Sequence, residues 1–129
     1  METCTFSPCS RSTGFDPESL SVAALEDEIH TLSASITVAT WRLLILIAEL
    51  DRRRAWQQWG VISCAHWLNW KCGIDMGAAR EKVRVARALE QLPKIAAAMG
   101  RGEVSYSKAR AITRIASAEN EDYLLSIAL

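Results

Sequence analysis

The chain is short enough for a single domain and carries no formal net charge. Its 129 residues include 15 basic and 15 acidic side chains, and half of the residues are apolar. A chain of this size and composition buries enough surface to fold without disulfides, which excludes a disordered protein. The longest apolar run, residues 41–48, includes Arg42 and is far shorter than the roughly 20 residues of a membrane-spanning helix. The N-terminus has no basic segment followed by an apolar one, so we expect a cytoplasmic protein without membrane contact.

The charges are unevenly distributed along the chain. Residues 1–50 carry two basic and seven acidic groups, a net charge of −5, whereas residues 51–114 carry thirteen basic and five acidic groups, a net charge of +8. Such asymmetry indicates an anionic partner, often nucleic acid. The alternative is that the acidic end neutralises the basic segment within the fold.

The four cysteines indicate neither a disulfide framework nor a metal centre. Two of them lie in the Ser/Thr/Pro-rich residues 1–15, which we expect to be flexible. Cys64 and Cys72 lack the C-x-x-C spacing, and a zinc site formed with His66 would need a fourth ligand from the only other histidine. We therefore expect no metal and no cofactor, and we interpret Cys64 and Cys72 as buried free thiols in a reducing compartment.

Capping residues, prolines and glycines divide residues 16–129 into six predicted helices. Short polar side chains that can accept a hydrogen bond from first-turn N–H groups precede four of the starts, namely Asp16, Ser63, Asp75 and Ser105. Pro93 suits the first turn of another helix, and glycines follow several of the ends. No segment shows the alternating apolar pattern of a strand. The sequence therefore predicts an all-α fold in which a long N-terminal amphipathic helix is packed by shorter ones, with helices at 17–59, 64–72, 76–92, 93–100, 105–116 and 120–129.

The long first helix carries an apolar seam with the heptad spacing of coiled coils. The residues of this seam recur at alternating intervals of three and four: Val22, Leu25, Ile29, Leu32, Ile36, Ala39, Leu43, Leu46 and Leu50. After Leu32 the other faces also become apolar. We therefore expect the second half of this helix to be surrounded by the rest of the fold.

The third predicted helix aligns cations on one face. Because residues advance by about 100° in an α-helix, one narrow stripe contains Arg80, Arg84, Arg87 and Gln91. The preceding helix and the turn at Gly73 give the order of a helix-turn-helix, whose second helix enters the major groove of DNA. Arginine suits that role because its planar fork binds phosphates or guanine edges through two hydrogen bonds. The alternative is a solvated face with Glu81–Arg84 and Arg87–Glu90 pairs.

Further basic and aromatic residues accompany this stripe. Arg52, Arg53 and Arg54 end the long helix and Lys108 lies in the fifth, although the helix dipole favours cations near a C-terminus in any case. Tryptophans could stack on bases, but at this density on apolar helices they are interpreted as core residues. The tryptophans concerned are Trp56, Trp59, Trp67 and Trp70.

Four segments, residues 50–56, 63–70, 77–89 and 102–111, resemble the actinobacterial 13E12 repeat proteins, whose shared region is domain-of-unknown-function family 222 (DUF222). The resemblance spans residues 20–129. Members of that family commonly carry this helical region in front of a C-terminal HNH endonuclease domain. The resemblance therefore implies an association with DNA and with mobile repetitive elements.

The chain departs from that family pattern at its C-terminal end. It has neither the histidine constellation nor the paired C-x-x-C of an HNH domain, so we expect no nuclease and no enzymatic activity in this chain. Its last predicted helix simply stops, which suggests a truncated domain. We expect the truncation to leave apolar surface exposed at Tyr123, Leu124, Ile127 and Leu129.

Residues 77–111 are also similar to the DNA-binding part of B-type plasmid and chromosome partition proteins. In those proteins a recognition helix is followed by Leu-Pro, a short helix and a Gly-x-hydrophobic-Ser motif. Leu92-Pro93 and Gly102 to Ser105 fit this order, and Lys108 stands where that pattern has histidine. This similarity favours contact between the third helix and DNA.

Three hypotheses follow for the function. In the first, the chain is a non-enzymatic module that binds double-stranded DNA through the arginines of the third helix, with Arg52 to Arg54 and Lys108 assisting, beside a nuclease supplied by a separate chain. In the second, the seam pairs with another copy or a partner, so that the chain is an oligomerisation or protein-interaction module. In the third, the gene is a decayed fragment without selected function. A buried seam with open arginines favours the first, and an exposed seam with arginines bound to Glu26, Asp27 and Glu28 favours the second.

Overall fold

The computed structural model describes residues 15–129, and all of the regular structure in this range is helical. The predicted all-α fold is confirmed. The expected flexibility of residues 1–15 lies outside the described range except for Phe15, as do Cys4 and Cys9. The α-helices are α1 (Val22–Arg53), α2 (Cys64–Cys72), α3 (Met76–Leu89), α4 (Pro93–Gly100), α5 (Tyr106–Ile112) and α6 (Glu121–Ala128).

The predicted first helix was too long at both ends. Asp16 does cap a helix start, because its carboxylate accepts from the Glu18 N–H at 3.2 Å, but this start belongs to a separate 3₁₀ turn at Pro17–Ser19. At the other end, Arg54 has φ 54° and ψ 32°, a left-handed conformation that stops α1. The residues after it, Ala55–Trp59, form a second 3₁₀ helix.

The remaining helices match their predicted starts within one residue, and three of them end earlier than predicted. α3 ends at Leu89 because the following residues form a tighter turn, in which the Leu92 N–H donates to the Leu89 carbonyl at 3.1 Å. α5 and α6 end at Ile112 and Ala128. Ser63 and Ser105 cap α2 and α5 as predicted, whereas the Asp75 side chain makes no capping hydrogen bond.

The described chain divides into two compact units, and the boundary falls within the continuous helix α1. The first unit ends at Ser33 and the second is Ala34–Leu129. In the first unit Val22, Ile29 and Leu32 are 70%, 67% and 53% exposed.

The second unit contains the apolar core. α2 packs against α3, α3 packs against α4 and α5, and α4 packs against α5 and α6. The largest fully buried side chains come from five of its segments: Leu44, Leu68, Val85, Ile95, Met99 and Val104. Two of the exposures predicted for the C-terminal helix, together with that of the final residue, are observed at Tyr123, Ile127 and Leu129, while Leu124 is partly buried.

The seam on α1 is not buried as predicted. The face of α1 that enters the core carries Thr37, Leu44, Ile47 and Ala48, whereas Ile36 and Leu46 on the seam are 64% and 68% exposed and Ile45 is 48% exposed. The rotation of α1 follows from Trp41, whose ring packs against Gly100 so closely that a Cβ there would lie 3.0 Å from it. A large flat side chain fits this glycine surface, and it turns the stripe that contains Trp41 inward.

α1 is also the one helix within the described range that is long and apolar enough to cross a membrane by length and composition. Of its apolar 18-residue stretch, 22% is buried in the structure. The absence of membrane contact stays a prediction.

A buried carboxylate joins α6 to α4. Glu121, the first residue of α6, is only 4% exposed, and its Oε2 accepts hydrogen bonds from the N–H groups of Lys94 at 2.7 Å and Ile95 at 2.8 Å. First-turn N–H groups have no partner within their own helix, and they favour a negative charge. Glu121 therefore caps α4 from a distant part of the sequence.

Candidate nucleic-acid interface

The arginine stripe of α3 lines one groove together with the start of α2. Arg80, Arg84 and Arg87 lie on one side of this groove, and Ser63, Cys64 and Ala65 lie on the other. Its volume is about 380 Å³. The first turn of α2 presents the positive end of the helix dipole, so both sides of the groove favour an anion. We call this feature the arginine groove.

Arg84 is held by partners within the fold. Its guanidinium donates to Glu81 at 3.0 Å, to the Arg110 carbonyl at 2.9 Å and to the Thr113 hydroxyl at 3.4 Å. The predicted Glu81–Arg84 pair is therefore confirmed. These bonds connect α3 to α5, and Arg84 is the least exposed arginine of the groove for which an ion pair is found, with 31% of its side chain accessible.

Arg87 is tied to the end of α1. Its Nε donates to Asp51 Oδ2 at 2.6 Å, and this hydrogen bond raises the pKa of Arg87 further above its ordinary value. The predicted Arg87–Glu90 pair is wrong, because Glu90 instead pairs with Arg52. Two crossed ion pairs thus join the same ends of α1 and α3, where sequence spacing could show only the pairs within one helix.

Arg80 lies in the groove and makes no ion pair with any residue from 15 to 129. It is exposed, as is Gln91 at the far end of the stripe. Arg80 is therefore the arginine of the groove whose charge is available to a ligand without the loss of an internal contact.

The other predicted site residues have separate surroundings. Arg52 and Arg53 both pair with Glu49, and Arg54 lies over the Trp56 ring with its Cζ 5.5 Å from the ring centroid. Lys108 donates through Nζ to the Ala128 carbonyl at 2.8 Å, where it satisfies the C-terminal end of α6. The pairing of Lys108 places it at the end of α6, and it is not among the residues that line the arginine groove.

One carboxylate neutralises a second group of arginines near the groove. Glu81 pairs with Arg84, with Arg110 at 3.0 Å and with Arg114 at 3.1 Å. The hydrogen bonds from Arg84 and Arg110 lower the pKa of Glu81 to about 2. Three cations share this single carboxylate, so the cluster keeps an excess of positive charge.

The two described cysteines differ in their surroundings. Cys64 is buried in the wall of the groove, and burial raises the pKa of its thiol to about 11, so the thiol stays protonated at neutral pH. Cys72 is exposed, which contradicts the expectation that both are buried, because it occupies the last position of α2 and points away from α3. Among residues 15–129, no three His, Cys, Asp or Glu side chains come together as a metal ion would require.

The tryptophans are not all core residues as predicted. Trp56 is buried, but Trp59 and Trp70 are each 54% exposed. Their ring centroids lie 6.0 Å apart, and Lys71 Nζ lies 5.7 Å and 5.1 Å from the two rings. Each ring covers the other and carries the lysine, which accounts for aromatic surface outside the core.

Sequence reasoning missed the start of α2 as part of the site. The Ser63 cap locates that helix start, and its Oγ accepts from the His66 N–H at 3.1 Å. The approach of this start to the arginine stripe depends on the packing of α2 on α3, for which the sequence carries no local signal. The role of Asp51 as the partner of Arg87 was missed for the same reason.

These features define a class of protein: an all-α domain with a long first helix, a pair of consecutive packed helices and an arginine-lined groove between them. The chain belongs to the DUF222 family, because the family model described as "Domain of unknown function (DUF222)" matches residues 27–123. No curated protein and no solved structure matches the chain at the level of significance applied.

Proposed function

We propose that this chain is a non-enzymatic module that binds the phosphate backbone of double-stranded DNA at the arginine groove. The observation that carries the proposal is the shared lining of one groove by Arg80, Arg84, Arg87 and the first turn of α2. Backbone N–H groups at a helix start and arginine forks are two of the groups that hold phosphate oxygens in protein–DNA complexes.

The charge around the groove supports the same partner. Residues 51–114 have a net charge of +8, and the neighbouring Glu81 cluster holds three arginines against one carboxylate. Exposed ion pairs contribute only about 0–1 kcal/mol each, so phosphates can replace Asp51 at Arg87 at small cost. Arg84 then acts as a support that fixes the groove, and Arg80 and Arg87 act as the phosphate ligands.

The proposal extends to the setting of the module. It takes no cofactor, acts in the cytoplasm and works beside a nuclease supplied by another chain, as the resemblance to HNH-associated 13E12 repeat proteins implies. In that arrangement α2 and α3 serve as the helix-turn-helix.

Titration of the full chain with unrelated DNA duplexes at low salt, followed by fluorescence anisotropy, tests the proposal. Arg80→Gln should weaken binding to every duplex alike and should lower the salt slope by roughly one unit, since one phosphate contact releases about one counterion. Arg101→Gln is the matched control, because Arg101 is exposed and pairs with Glu103 outside α3. Absence of duplex binding by the wild type, or equal weakening by both variants, would overturn the proposal.

A second variant tests the competition at Arg87. Asp51→Asn removes the carboxylate that holds Arg87 and should strengthen DNA binding roughly two- to fivefold, because an exposed ion pair is worth at most about 1 kcal/mol. Unchanged or weaker binding by a folded Asp51→Asn variant would show that Arg87 does not bind DNA.

A further inference from the structure

We infer that α1 pairs with α1 of a second copy of this chain in antiparallel orientation. The inference goes beyond DNA binding, since it concerns the face of α1 that the fold leaves open. Five large apolar residues on the heptad positions of that face are each more than half exposed: Val22, Ile29, Leu32, Ile36 and Leu46. Soluble chains rarely expose an apolar stripe of this length without a partner.

The heptad pattern gives a register in which two antiparallel copies match along the whole stripe. When Ile36 of one copy meets Ala39 of the other, each apolar residue on one helix meets an apolar residue of the second. From this centre outward the matched pairs are Ile36 with Ala39, Leu32 with Leu43, Ile29 with Leu46, and Leu25 with Leu50. α1 has 32 residues and is about 48 Å long, so these layers extend over most of its length.

Charge complementarity selects the antiparallel orientation. The exposed residues Glu26, Asp27 and Glu28 lie near the start of α1, and the basic residues lie in its second half and at its end. In the register above, Glu28 lies beside Arg42 of the second copy, and Glu26 lies beside its Arg54. Glu49 does not reverse this pattern, because Arg52 and Arg53 already pair with it.

A parallel pair would bring like charges together. The six carboxylates of the two helix starts would then lie within one turn of each other, and the basic ends would also be adjacent. Like charges across such an interface oppose association, whereas opposite charges fix partner and orientation. The described ion pairs of the arginines do not use Glu26, Asp27 or Glu28, so these carboxylates remain available to the second copy.

Sedimentation equilibrium of the full chain tests the pairing. The wild type should be a dimer, and Ile29→Glu should weaken the dimer by at least about a hundredfold, because it places two charges in the apolar seam. Ala23→Glu is the matched control, since Ala23 is exposed on the same helix one turn earlier and off the seam. A wild type that is monomeric at high concentration would overturn the inference. So would binding of the monomer to neutral lipid vesicles that Ile29→Glu abolishes and Ala23→Glu does not.

Cross-linking tests the orientation. One chain carries Ile29→Cys, another carries Leu46→Cys, and both carry serine in place of Cys4, Cys9 and Cys72. Antiparallel pairing should give disulfide-linked dimers in the mixture and little from either variant alone. Cross-links within each variant alone would show parallel pairing and overturn the inference.

Charge reversal tests the selection of orientation. Glu26→Lys with Glu28→Lys should weaken the dimer by about tenfold or more, and adding Arg42→Glu with Arg54→Glu should restore it. Reversal without effect, or without restoration, would overturn the role assigned to these charges.

Discussion

The apolar face of α1 and the charged face of α3 behave in opposite ways. The sequence predicts that the seam of α1 is covered by the fold and that the arginines of α3 face solvent. In the structure Ile36 and Leu46 of the seam are mostly exposed, whereas Arg84 and Arg87 are held by carboxylates of the same chain. Apolar periodicity therefore marks a surface that needs a partner without stating whether the partner is internal, and a row of charges does not establish that the row is free.

The largest expected effect separates the two stripes of α1. Leu44→Ala should lower the free energy of unfolding by about 2–5 kcal/mol, because Leu44 is fully buried and its truncation leaves a cavity. Leu46→Ala, two residues along the same helix, should change it by less than about 0.5 kcal/mol in the monomer. Urea unfolding at protein concentrations below the dimer range measures both. Similar losses for the two variants would show that the seam takes part in the core.

A smaller effect tests the contact that sets the rotation of α1. Gly100→Ala places a methyl group about 3.0 Å from the Trp41 ring, so the ring or the helix must shift. We expect a loss of about 1–3 kcal/mol, the usual cost of overpacking. Ala97→Ser, on the exposed side of the same helix, serves as the control. An unfolding free energy equal to that of the wild type would contradict the proposed role of the Trp41–Gly100 contact.

The smallest effect concerns the charged face of α3. The pKa of Glu81 is lowered from 4.5 to about 2, so its ion pairs stabilise the fold fully above pH 4.5 and are lost as the pH falls from 4.5 towards 2. Thermal unfolding across this range should show a decline in stability that is shallower in Glu81→Gln. Identical pH profiles for the two proteins would show that the Glu81 cluster does not stabilise the fold.

The sequence predicted the fold class and the helix starts well because these depend on local chemistry. Ser63 and Ser105 accept hydrogen bonds within their own first turns, and Pro93 lacks the N–H that such a turn leaves unpaired. Helix ends were less predictable, since the left-handed conformation of Arg54 and the tighter turn at Leu92 follow no residue preference visible in the sequence.

The candidate site was predictable only in part. The spacing of Arg80, Arg84 and Arg87 places them on one face, and the structure brings them to one groove. The partners of Arg84 and Arg87 were out of reach, because Arg110 and Asp51 lie more than twenty residues away along the chain. Whether a charged side chain is open or occupied depends on such long-range contacts.

The Glu121 contact has a consequence for the order in which the chain becomes structured during synthesis. The first turn of α4 leaves the ribosome well before residue 121, and until Glu121 emerges the N–H groups of Lys94 and Ile95 have only water as a partner. The middle of the domain therefore cannot reach its final form during elongation. It is completed when the C-terminal segment arrives, so folding of the second unit ends after translation of its last helix has begun.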